Sequence, residues 1–171
     1  MNSGPFTADR SAALAVRPPG VPSVWDDVQL QHLWLAMQQR SWRSVAIVGA
    51  SKGVSTIETA NVLAKMAWWY SGAPSGVFDL RDLSLRLLEH QLRGLADQYT
   101  HGTRIFMALR STFENPTAVP LARAADAAIL CVELGTTDTK SAERTVNTIG
   151  RERFLGTIII GGAQKAATKQ K

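Results

Sequence analysis

The residue types best suited to chemistry are concentrated in one stretch, Gly49-Ala50-Ser51-Lys52-Gly53-Val54-Ser55-Thr56. Two glycines, a lysine and paired hydroxyls lie just ahead of an apolar helical pattern. Such a turn directs free backbone N–H groups, and the positive end of the helix behind it, toward an anion. The geometry suits phosphate. Work on a nucleoside triphosphate asks for more: a lysine directly before Ser/Thr, so that the ammonium reaches the β- and γ-phosphates and the hydroxyl reaches Mg²⁺. Here Val54 precedes Ser55, and Lys52 would need a different loop path to substitute. Gly49, Lys52, Gly53, Ser55 and Thr56 are therefore candidates for a reduced phosphate loop. Capping of the following helix is the preferred role for Ser55 and Thr56, and a solvated loop position for Lys52.

Other reactive side chains are scattered. His32, His90 and His101 have no second ligand at metal spacing, and all three read as surface or loop residues. The single cysteine, Cys131, excludes a disulfide framework and lies in an apolar run where a thiol is inert packing. Asp79 is placed to pair with Arg81 or Arg110. Trp68-Trp69-Tyr70 is the most unusual local feature. Three adjacent helical positions span about 200° of arc, so they cannot all face one core. With Trp34 they form the candidate interface aromatics, since aromatic residues are enriched in interfaces. The competing reading is that the helix around Trp34 folds over them within the chain.

The elements that position these residues follow from periodicity. Residues 1–24 read as a flexible leader, and Asp26 and Asp27 as the capped start of a helix running to about Gln39. Five apolar, strand-length runs come next: Ser44–Val48, Gly76–Leu80, Arg104–Leu109, Ala127–Leu134 and Phe154–Ile160. Helical patterns alternate with them over Thr56–Tyr70, Leu83–Gln98, Pro120–Ala125 and Thr139–Ile149. Alternation of this kind predicts an α/β domain of three αβα layers around a mainly parallel sheet, spanning residues 25–162. In such a fold the ligand crevice lies beyond the carboxyl ends of the strands, which is where the Gly49–Thr56 turn falls.

Composition bounds the rest. The chain has 171 residues, 45% hydrophobic and 19% charged, the profile of a chain with a buried core. No apolar run approaches the length of a membrane span, and the start has no apolar secretory segment. The net charge of +5 owes much to Lys165, Lys169 and Lys171 in a basic tail over 163–171, while the body is nearly balanced. That distribution speaks against nucleic-acid binding. The expected location is the cytoplasm.

With these elements in order, the chain resembles the cytoplasmic domain of bacterial tyrosine kinases, a branch of the ParA/MinD type of P-loop ATPases associated with capsule and exopolysaccharide synthesis. The similarity is most specific over Leu121–Gly162, a helix ending in Ala-Arg-Ala-Ala-Asp, an apolar strand, a Thr-rich loop, a helix and a last strand introduced by Leu155-Gly156. Asp79-Leu80-Arg81 is similar to the end of the family's second strand motif. Counted back without a gap, Glu114 and Pro116 fall where its Walker B loop has Glu and Pro. The resemblance implies a P-loop NTPase-like fold, and it makes Asp79 a remnant of a metal-organising set. It also locates three departures: Val54 at the lysine position, Val77 at the first aspartate of the second motif, and Ala108 at the Walker B aspartate. Phosphoryl transfer rests on positioning and charge neutralisation, so these departures predict a pseudokinase or pseudo-ATPase with no assigned catalytic residue, metal or cofactor.

The tail holds no tyrosine for autophosphorylation, and Gln29, Gln31, His32 and Trp34 replace the Glu-x-x-Arg-x-x-Arg pattern used in ring packing. The implied role is contact with a membrane polysaccharide co-polymerase or a catalytic homologue, at the inner face of the membrane through that partner, with self-association as a further option. One alternative is an active ATP-binding protein that uses Lys52. A weaker one, a short-chain-dehydrogenase-like NAD(P) protein, lacks glycine at Ser55 and a Tyr-x-x-x-Lys pair, since Pro74 and Thr103 follow Tyr70 and Tyr99.

Overall fold

A computed structural model describes residues 28–100 and 102–161. The leader, Trp25, the two capping aspartates, His101 and the basic tail lie outside the described residues. Ten main elements alternate along the chain: α1 (Val28–Met37), β1 (Ser44–Gly49), α2 (Ile57–Ser71), β2 (Ser75–Asp79), α3 (Leu85–Thr100), β3 (Arg104–Leu109), α4 (Ala118–Ala124), β4 (Ala127–Glu133), α5 (Thr139–Ile149) and β5 (Phe154–Ile160). The strands form one sheet in the order β2-β3-β1-β4-β5, and every pairing is parallel.

The pleat divides the core. Val45, Ile47, Phe106, Ala108, Ile129 and Cys131 point to one face, beneath Trp34 and Met37 of α1 and Leu63 and Met66 of α2. Ala46, Val48, Ile105, Met107, Leu109 and Ala128 point to the other, beneath Leu95, Leu121 and Ile149 from α3, α4 and α5. A strand covered on both sides needs apolar residues throughout rather than alternating ones. All six residues of β1 are buried accordingly, while the edge strands β2 and β5 are only partly covered.

α2 stops at Gly72, whose φ of 64° is open to glycine and whose N–H donates to the Trp68 carbonyl. α5 starts at Asp138, whose side chain accepts from the Ser141 N–H at 2.8 Å. α2 starts differently. Thr56 makes no side-chain cap; its hydroxyl is fully buried and donates to the Leu109 carbonyl at the end of β3, 2.9 Å away. Capping therefore does not describe Thr56, because its hydroxyl donates to a carbonyl at the end of another strand.

Candidate functional site

The turn after β1 sits at the carboxyl edge of the sheet, between the ends of β3 and β4. Its backbone is drawn inward. The Ala50 N–H donates to the Cys131 carbonyl at 2.8 Å, and the Ala50 carbonyl accepts from the Thr145 hydroxyl at 3.4 Å. The Ser51 and Thr137 hydroxyls share a hydrogen bond of 2.9 Å. Gly53 turns the chain with φ at 83°, a conformation that costs any residue with a Cβ about 1–2 kcal/mol. Val54, 7% exposed, then buries its side chain in the core on the α2 face.

Glu114 closes this turn from the β3–α4 connection. Its Oε1 accepts from the Gly53 N–H at 3.2 Å, and its Oε2 accepts from the Ser111 hydroxyl at 3.0 Å. The carboxylate thus occupies a backbone donor that an anion would use. Sequence reading marked Glu114 only by family position. Its link to Gly53 joins residues far apart in the chain, and neither carries a local pattern that announces it.

The two arginines at this edge are paired with acids. Arg110 binds Asp82 at 2.8 Å and lies 3.6 Å from Glu114. Arg81 binds both oxygens of Asp79, at 2.8 and 2.7 Å. Lys52 is exposed, and it makes no ion pair among the described residues. Ser55 is partly exposed beside it. Val77 and Ala108 lie within β2 and β3, and the register pairs Asp79 with Ala108.

The Arg81 hydrogen bonds hold the Asp79 carboxyl below its usual range. With the Asp79 side chain 47% exposed, Asp79→Asn is expected to cost less than about 1 kcal/mol at pH 7. A depressed folded pKa gives stability that is present above the unfolded value of about 3.8 and lost as pH falls through the lower folded value. Urea midpoints of both proteins against pH check this. A gap that widened in acid would contradict it.

The aromatic candidates separate. Trp68 is 60% exposed, and Trp69 and Tyr70 are also open to solvent. None enters the core, because Ala60, Leu63, Ala64, Met66 and Ala67 supply the inward face of α2. Trp34 is withdrawn from that surface. It is 6% exposed, stacked on Tyr70 at 5.8 Å and edge-on to Trp42 at 6.0 Å. Cys131 is fully buried and burial pushes its thiol up to about 11, as expected of inert packing. No group of three or more potential metal ligands occurs among the described residues.

The architecture, a parallel five-stranded sheet between helical layers with a glycine turn after its central strand, defines a P-loop-like α/β class. Among solved structures, the chain is similar to the kinase domain of Escherichia coli tyrosine kinase ETK. That match has a TM-score of 0.65 and 12% identity, covering 95% of this chain and 88% of that one. It is also similar to the BceF tyrosine kinase domain, with a TM-score of 0.50 and 14% identity over 77% of this chain and 74% of that one. The fold is that of bacterial tyrosine kinase domains, as the sequence resemblance implied. No family model and no curated protein matches the chain. Among the described residues, no helix is long and apolar enough to cross a membrane.

Proposed function

We propose that this chain is a catalytically silent relative of the bacterial tyrosine kinases, an accessory of capsule or exopolysaccharide assembly that acts by contact. One observation carries the reading: Val54 is sealed in the core at the lysine position while the Glu114 carboxylate accepts from the Gly53 N–H. These residues do not fit an ATP–Mg²⁺ complex. A triphosphate would meet a carboxylate where it needs donors, and Ala108 and Val77 offer nothing to organise a metal. The nearby arginines are held by Asp79, Asp82 and Glu114, so little positive charge is left to neutralise a transferring phosphoryl group.

The partner would be a membrane polysaccharide co-polymerase or a catalytic homologue, met through the exposed aromatic end of α2 at Trp68, Trp69 and Tyr70. The protein would then reside in the cytoplasm, at the membrane only through that partner. The purified protein should show no ATP turnover and no tyrosine phosphorylation, and calorimetry should find ATP–Mg²⁺ affinity weaker than about 1 mM. Turnover, or submillimolar affinity that disappears in Lys52→Ala, would instead establish the reading in which Lys52 serves the loop.

A further inference from the structure

β5 closes the sheet on the side away from β2, and among the described residues it pairs with β4 alone. The Ile160 carbonyl accepts from the Leu134 N–H at 3.0 Å, so it faces β4. Successive residues of a strand turn their backbone groups to opposite sides, which leaves the N–H and C=O of Thr157 and Ile159 on the open edge. Such a row is a template for another strand, and natural edges are blunted by charge, proline or short length. β2, at the other edge, is five residues long and ends in Asp79. β5 is seven residues long, reads Phe-Leu-Gly-Thr-Ile-Ile-Ile, and carries neither charge nor proline. Its one irregularity lies at its start, opposite Ala128 and Ile129.

Apolar surface flanks this edge on both faces. Ile159 is 61% exposed. On the α1 side, Ile158 and Ile160 line an apolar groove with Leu30, Val62 and Leu63. On the α5 side, Phe154 and Thr157 line a second with Leu130 and Val146. α1 leaves Val28 and Leu35 exposed, and residues seven apart share one stripe of a helix. A helix that is apolar beyond its inward face needs a second cover.

The chain's own N-terminal part reaches this edge first. α1 runs opposite to β5, with Leu33 beside Gly156 and Leu30 beside Ile158 and Ile160. Residues 1–27 therefore join α1 at the carboxyl end of β5. A strand beside β5 and parallel to it would end at that point and continue through α1 to β1. α1 and α2 cover the same face, and this step would run toward the β2 edge, as the step from β1 through α2 to β2 does. The two crossovers would share one hand, as parallel crossovers do. Residues 12–17, Ala-Ala-Leu-Ala-Val-Arg, are the apolar end of the proline-free stretch between Pro5 and Pro18. Extended, they cover about 20 Å, close to the length of β5. We propose that residues 12–17 dock on the β5 edge as a sixth parallel strand, with Leu14 and Val16 on one face against the apolar surface there. The open ladder overrides the weak strand preference of the alanines, since strand formation follows context more than intrinsic propensity.

Amide exchange of the full chain, followed by NMR at Thr157 and Ile159, tests this. Both amides should exchange on the order of 100-fold more slowly in the parent than in a variant whose strand cannot pair. Neighbouring residues of the docked strand turn their N–H groups to opposite sides, so one of Ala15→Pro and Val16→Pro removes a donor to β5. The double variant should release Thr157 and Ile159 while the amides of β1, which report the intact fold, exchange as in the parent. Leu14→Asp keeps every backbone donor but charges the apolar side, and it should release the same two amides should the double variant fail to fold. Protection that survives these variants would overturn the proposal, and its growth with protein concentration would assign the edge to a second copy of the chain. Fast exchange at both amides in the parent would also overturn it, leaving the edge to a strand from another protein.

Discussion

Val54→Lys is expected to destabilise the fold by about 3 kcal/mol or more at pH 7 and to confer no ATP turnover. Val54 packs inside the core on the α2 face, so the new ammonium would be desolvated. Burial lowers a lysine pKa by up to several units, and each unit corresponds to about 1.4 kcal/mol. The unfolded chain would bind the extra proton up to about pH 10.4, so the penalty is full below the lowered folded value and should shrink as pH rises from there toward 10.4. Urea denaturation at pH 7 and pH 10 measures both the cost and its sign. Activity should stay absent because Ala108 supplies no carboxylate and Glu114 still accepts from Gly53. A stable Val54→Lys protein that hydrolysed ATP would show that one missing cation alone had silenced the site.

Trp42→Ala should lose about 3–5 kcal/mol, the range for deleting a large buried aromatic side chain. The Trp42 ring meets Trp34 edge-on, Phe106 at 5.6 Å and the Arg104 guanidinium. Its Nε1–H donates to the Met37 carbonyl at 2.8 Å, tying the end of α1 to the start of β1. Trp42→Phe keeps most of the contact area and loses that donor, so it should cost less. Trp68→Ala, on the exposed end of α2, should stay within about 0.5 kcal/mol. Urea unfolding of the three variants checks the ranking. Equal losses at positions 42 and 68 would mean that the ring cluster does not anchor α1.

The strands were legible because each is a short apolar run bounded by turn residues, and β1 and β4 must be apolar on both faces. Helices α2 and α5 were legible from their spacing and from the glycines that follow them. The order of the strands was not, since periodicity says which residues are buried and nothing about which run lies beside which. Sequence left Trp34 between an interface and a cover over the α2 aromatics, because Val28, Leu30, Leu33, Leu35 and Met37 give α1 no single inward stripe; its stacking on Tyr70 is the second of these. At the loop, the absence of lysine before Ser55 could be read directly. The embrace of Gly53 by Glu114 could not, because it depends on how the β3–α4 connection returns to the turn. Thr56 went the same way, its partner being a carbonyl on another strand.

A sequence whose lone sulfhydryl is walled into the central strands offers a clean chassis for spectroscopy. A cysteine engineered onto the outside would take up a maleimide dye by itself, with no background from the native position. Left unmodified, the natural thiol becomes a clock: its reaction rate with a reagent in solution would count how often the middle of the molecule breathes.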